Sequence, residues 1–228
     1  MRRFNQGRHF NSVIKQNAIY VYRLIPRSYQ QVEYLQSTGA QAIHTGINTT
    51  SSLVTTVNFS IASTYSYGNG SFIFGTYYRT GGGTNTNMYS VAFPSKTSAR
   101  IPSGQALVNI TIANISSGIH TLQYRFGGQM VDGTNYGTYS GVASATRELY
   151  LFGRNAYNVG DGGNVTTLTK GVVIYRCQLG TTADTTQYRD LIPCYRKADS
   201  VTGMYDLINS EFIPYTGSAN FIVGNDVV

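Results

Sequence analysis

Leu53, Thr55, Val57, Phe59 and Ile61 alternate with Val54, Thr56, Asn58 and Ser60, so an extended backbone over 53–61 sets one apolar and β-branched face against one more polar face. The same two-residue rhythm recurs over 119–126, where His120, Leu122, Tyr124 and Phe126 share a side and Thr121, Gln123 and Arg125 share the other. Further strand-like segments are expected at 30–36, 41–47, 71–78, 87–93, 106–112, 147–153, 171–179 and 188–197. Gly, Asn, Ser and Thr clusters separate them, including Gly68-Asn69-Gly70, Gly81-Gly82-Gly83 and Gly127-Gly128. No stretch of ten residues carries a 3.6-residue apolar period, which excludes a helical bundle. Thr (26), Ser (20), Asn (17) and Gly (25) make up 88 of the 228 residues, while Tyr (19) and Phe (10) supply a core without Trp. Many short strands with no helices between them imply an all-β, two-sheet antiparallel sandwich.

The net charge of +7 suggests a nucleic-acid or membrane partner until it is located along the chain. Residues 1–27 contain Arg2, Arg3, Arg8, Lys15, Arg23 and Arg27 and no acid. The remainder holds eleven basic and ten acidic groups, so the excess belongs to an N-terminal arm on a nearly neutral body. The organisation expected is therefore a basic anchoring arm at 1–27 and a β domain at 28–228. The longest apolar run of the arm, Ala18 to Tyr22, ends at Arg23, which is too short for a secretory core. No window approaches the roughly 18 apolar residues of a membrane span. A soluble protein made in a cytoplasm, with no membrane partner, is expected.

Hydrolytic chemistry needs converging ionisable groups, and these are sparse. Glu33, Glu148 and Glu211 lie far apart in sequence, with no clustered carboxylates of the kind a glycosidase uses. His9, His44 and His120 have no metal-ligand spacing to one another or to the cysteines, and His120 reads as a hydrogen-bonded core residue. The Gly81–Gly83 run lacks the lysine and helix of a phosphate loop, and the Asp161 loop holds one carboxylate only. No enzyme activity, no cofactor and no metal is expected. Cys177 and Cys194 are too few for a disulfide scaffold and each lies in a hydrophobic run, so both read as buried free thiols.

Two stretches carry a resemblance. The first runs from Tyr29 through Glu33-Tyr34-Leu35, Ser37-Thr38-Gly39, Gln41 and Ile43 to Thr45-Gly46-Ile47. The second runs from Arg189-Asp190-Leu191-Ile192-Pro193-Cys194 through Arg196-Lys197, Asp199 and Gly203-Met204-Tyr205-Asp206-Leu207 to Glu211-Phe212 and Tyr215-Thr216-Gly217. Together with Gly118 to Thr121 and Gln129 to Gly133, they resemble the concanavalin A-like (laminin-G-like) jelly-roll modules of bacteriophage and prophage structural proteins. The likeness departs from the family at Ala42 and His44, where an aromatic and Asp are usual, and in the tail from Pro214 to Asn220.

The resemblance implies a jelly-roll sandwich whose first and last strands lie side by side, with 41–47 near 219–224. It implies a virion protein displayed as fibre, decoration or adhesin, which forms homo-oligomers and binds a host surface glycan. The motif residues themselves read as structural, with Arg189, Asp190, Arg196, Lys197, Asp199 and Asp206 pairing among themselves. Sugar rings stack on aromatic faces, so Tyr65, Tyr67, Tyr77, Tyr136 and Tyr139 form the expected ligand surface. In the arm, Arg2, Arg3, Arg8, Lys15, Ile19, Val21 and Arg23 are the expected anchoring residues, because interleaved apolar side chains suit docking on other virion proteins better than a purely electrostatic grip on nucleic acid. A ligand-free capsid cement protein and a glycan-cleaving β-sandwich enzyme are the alternatives.

Overall fold

The computed structural model describes residues 25–79, 85–103, 106–125, 128–137, 147–158, 163–181 and 187–227. Every regular element among these residues is a strand, and none of them forms a helix that could cross a membrane. The chain begins with β1 (Tyr29–Gln31), β2 (Leu35–Thr38), β3 (Gln41–Asn48) and β4 (Leu53–Ile61). A run of antiparallel hairpins follows: β5 (Phe72–Arg79), β6 (Asn85–Ser95), β7 (Ser98–Ser103) and β8 (Ala106–Thr111). A second run comprises β9 (His120–Arg125), β10 (Gly128–Val131) and β11 (Thr134–Asn135). Next come β12 (Glu148–Leu151), β13 (Gly153–Asn158) and β14 (Gly163–Leu168). The C-terminal part holds β15 (Lys170–Thr181), β16 (Gln187–Arg196), β17 (Thr202–Asp206), β18 (Glu211–Gly217) and β19 (Ile222–Val223).

These strands form a β-sandwich-like fold of two layers. The first layer runs β11-β10-β9-β4-β15-β16-β17, with β1 and β2 continuing along β16 and β15 and β19 beyond β2. The second runs β18-β3-β12-β5-β6-β7-β8. β18 belongs to both, pairing with β17 through Glu211–Pro214 and with β3 through Tyr215–Gly217. Among the described strands the expectation of an antiparallel sandwich has one exception, since β13 runs parallel to β5 and hands the layer on to β14.

The alternation of β4 is what buries its face: Leu53, Thr55, Val57 and Phe59 are inside, while Val54, Thr56, Asn58 and Ser60 are only partly covered. Phe59 stacks on Phe93 of β6 with ring centroids 5.3 Å apart. Tyr89 of β6 crosses between the layers, its buried hydroxyl 2.9 Å from Thr55 Oγ1 and donating to the Tyr124 carbonyl at 3.0 Å. That hydroxyl lets a polar ring end inside the core without an unmet bond. A smaller cluster of Ile25, Ile192, Cys194 and Tyr205 packs beyond the main core. Ile25 is thus part of the body although it precedes residue 28.

Both cysteines are buried and free, as their hydrophobic neighbours imply, and burial pushes both thiols up, Cys194 to about 12. His120 is hydrogen-bonded as expected, with Nδ1 2.7 Å from Asp132 Oδ2 and Nε2 2.9 Å from the Ser117 carbonyl, but it is partly buried beside the core rather than within it.

Candidate functional site

Among the tyrosines expected to form a ligand surface, those described differ in burial and in partners. Tyr65 is only 6% exposed, and its hydroxyl donates to the Ser71 carbonyl at 2.8 Å, so its ring is a core anchor rather than a ligand platform. Tyr67 is half-buried, edge-on to Tyr65 with centroids 4.9 Å apart. Tyr77 is partly exposed on β5, and Tyr136 packs on the core with its hydroxyl accepting the Ala113 N–H at 3.0 Å. Tyr139 and the arm residues Arg2, Arg3, Arg8, Lys15, Ile19, Val21 and Arg23 lie outside the described residues.

A different surface has the form of a binding site. β3 pairs with the end of β18, and its Thr45 carbonyl is reached by Arg189 near the start of β16. An open hollow of about 420 Å³ lies there, lined by Ile47, Gln187, Tyr188, Arg189, Ile208, Asn209 and Glu211. Tyr188 and Ile208 are 38% and 48% exposed, among the few large apolar side chains that the described residues leave in solvent.

The floor is built around Arg189. Its Nε donates to the Thr45 carbonyl at 3.1 Å, and Nη1 donates to Asp206 Oδ2 at 2.8 Å and to Glu211 Oε2 at 2.7 Å. Gly46 makes room for this guanidinium. A Cβ there would stand 3.0 Å from Arg189 Nη2, and the Gly46 φ of +71° lies in the left-handed region. Its N–H is turned to donate to Glu148 Oε1 at 2.6 Å. Arg189 is nearly buried, whereas Glu211 stands half-exposed at the rim.

Asp206 is the fully buried member, and all its bonding capacity is used. Oδ1 accepts the N–H groups of Asp190 (3.1 Å) and Ile208 (3.0 Å), and Oδ2 accepts Arg189 Nη1 and Asn209 Nδ2 (2.6 Å). Burial alone would raise its pKa, but the bonds from Arg189, Asn209 and the two backbone groups together hold it below the usual carboxylate value. Burial likewise opposes the Arg189 cation, and its bonds to Asp206 and Glu211 outweigh that and raise its pKa. The Ile208 bond closes an Asx turn, and Asn209 Nδ2 also donates to the Tyr188 carbonyl at 2.9 Å. The turn that carries Ile208 is therefore tied to the strand that carries Tyr188.

Beside this floor, His44 stacks on Tyr150 with centroids 3.7 Å apart, and its Nε2 is 2.8 Å from Thr216 Oγ1. Burial lowers the His44 pKa, against a smaller opposing pull from Glu148. Among the described residues no three His, Cys, Asp or Glu side chains gather as a metal site.

The motif residues Arg189 and Asp206 do pair, as their reading as structural groups implies. Asp190 pairs instead with Arg176, whose Nε donates to Oδ1 at 2.8 Å, and Arg196 pairs with Asp199. The sequence reading missed Ile47, Gln187, Tyr188, Ile208 and Asn209 as a group. One local signal was present: Ile208 is an aliphatic residue inside a turn of Asn and Ser, where burial is not expected. No protein-family model matches this chain. No curated protein matches it either.

Proposed function

We propose that this chain is a bacteriophage virion protein whose sandwich body, of concanavalin A-like jelly-roll architecture, displays the hollow at β16 and the β17–β18 turn as a glycan-binding site. Residues 1–27 anchor the body to other virion proteins of a head or tail. One observation carries the binding reading: exposed Tyr188 and Ile208 flank a held Arg189–Glu211 pair in a recess. A sugar ring has an apolar face and a rim of hydroxyls. Tyr188 supplies a flat apolar surface, and Arg189, Glu211 and Asn209 supply fixed donors and acceptors for the rim. Because the floor is braced by Asp206, little ordering is required when a ligand arrives. A single open hollow binds weakly, so several copies in a homo-oligomer raise the avidity. The virion assignment is supported by the motifs at 29–47 and 189–217 and by the charge confined to the arm.

Glycan-array binding of the purified full chain, compared with Tyr188→Ala and Glu211→Gln, tests this. Retention of host-surface polysaccharide by the native protein and a loss of tenfold or more in both variants are expected, about 1.4 kcal/mol per decade. A native protein that retains no polysaccharide, or a Tyr188→Ala variant that binds normally, overturns the glycan reading and favours a ligand-free cement role.

A further inference from the structure

Arg154 of β13 stands out because, among the described residues, it has two aromatic neighbours and no acid. Its guanidinium carbon lies over the ring of Phe72 at 4.2 Å and over the ring of Tyr77 at 4.6 Å. The Arg154 guanidinium forms no ion pair or hydrogen bond with a described residue, and its Nε is buried without a partner. Arg100 of β7 repeats the pattern. Its Nε is also buried and unpartnered, its Nη1 reaches only the Asn69 carbonyl at 3.4 Å, and no described carboxylate pairs with it.

The strand register brings the two arginines together. Phe72 pairs with Ala92, and Ala92 pairs with Arg100, so the three side chains form one row on the same face of the β5–β6–β7 layer. Tyr77 pairs with Met88 on that face, one residue from the inward Tyr89. Arg154 alternates with Asn155, which turns the other way to donate to the Glu148 carbonyl at 3.0 Å. Burial lowers the Arg154 pKa to about 10, and the Arg100 charge adds to that effect while Tyr77 opposes it.

Desolvating one guanidinium is costly, and placing a second beside it with no described carboxylate compounds the cost. The two ring faces offset a part of this through the cation–π attraction. They cannot satisfy the N–H groups, which lie in the guanidinium plane and need acceptors there. An oxyanion provides both charge and in-plane acceptors.

We propose that the Arg154–Arg100 pair on the face of β5, β6, β7 and β13 is an anion site that takes a small oxyanion, the carboxylate or sulfate group of an acidic ligand. The rings of Phe72 and Tyr77 fix the Arg154 plane, and Arg100 closes on the anion from the neighbouring row. None of these residues lines the hollow at Tyr188, so the site stands independently of the glycan reading.

Isothermal titration of the full chain with sodium sulfate and with sodium acetate, at ionic strength held constant with sodium chloride, tests the site. Saturable one-to-one binding of at least one of the two anions is expected, weakened tenfold or more in Arg100→Gln and in Arg154→Met, and unchanged in Tyr188→Ala. Acetate binding alone identifies a carboxylate ligand, and sulfate binding alone identifies a tetrahedral one. Arg100→Gln keeps the ring-stacked Arg154 in place, so it remains informative if Arg154→Met fails to fold. No saturable binding of either anion, or equal binding by the native protein and Arg100→Gln, rejects the site.

Discussion

Asp206 concentrates the physical chemistry of the hollow in one side chain. A carboxylate that is fully buried is costly unless its oxygens are bonded, and here four donors from Arg189, Asn209, Asp190 and Ile208 converge on it. Its folded-state pKa lies below the ordinary 3.8, so it contributes stability in full above that value and loses it as pH falls through the folded pKa. Urea unfolding at pH 5 and at pH 3 should show a fall in stability at the lower pH that is smaller in Asp206→Asn. At neutral pH the same variant should be destabilised by about 3 kcal/mol, because the nearly buried Arg189 keeps only the half-exposed Glu211 as a counter-charge. A pH 3 midpoint equal to that at pH 5 in the native protein would contradict this account. Gly46 matters at the same scale for another reason, since a Cβ there would crowd the Arg189 guanidinium at 3.0 Å and a positive φ strains a residue that has one.

At the scale of elements, legibility followed the environment of each strand. β3, β4, β15 and β16 match expected segments because each carries a long run of apolar and β-branched residues. The segment expected at 30–36 is divided instead into β1 and β2, with Val32 held by a lone bridge to Asp226. β17 escaped notice because all five of its residues are buried, and Thr202, Met204 and Asp206 on one side show no polarity contrast with Gly203 and Tyr205 on the other, so the two-residue rhythm vanishes. β7 contains Pro102, and β13 and β14 are rich in Asn, Gly and Thr, which read as turns until tertiary pairing makes them strands. β4 allows a direct test of alternation. Phe59→Ala should cost roughly 3–5 kcal/mol, whereas Thr56→Ala on the partly exposed face should change stability by about 0.5 kcal/mol or less. Comparable urea midpoints for the two variants would refute the assignment of faces.

For the whole molecule, closure of the chain ends is the main organising event. The resemblance implies 219–224 beside 41–47, and Gln41 does donate to the Asn220 carbonyl. The ladder, however, pairs β3 with 215–217, and the chain then leaves at Gly217 so that β19 pairs with β2. A Cβ at Gly217 would collide with the Ala40 carbonyl, so glycine sets the crossing point. At the other end, Ile25 is buried against Ile192, Cys194 and Tyr205, which moves the start of the body upstream of residue 28. Deleting residues 1–24 should leave the thermal midpoint near that of the full chain and, under the proposed anchoring role, abolish incorporation into virions. Deleting 1–27 should in addition lower stability by about 2 kcal/mol, the burial of one isoleucine. Normal incorporation of either truncation would remove the anchoring role from the arm.

Several properties were determined by the sequence alone: an all-β body, the inward face of β4, two buried thiols and a charge excess confined to 27 residues. Each follows from local composition or from the solvent preference of alternate side chains, which a short window contains. The hollow and the Arg154–Arg100 row were decided only by tertiary structure. Ile47, Tyr188 and Ile208 are distant in sequence, as are Phe72, Arg100 and Arg154, and they meet only through strand register. Register is set by the sum of many cross-strand contacts and by a few glycines that permit close approach, so no single window of the chain contains it.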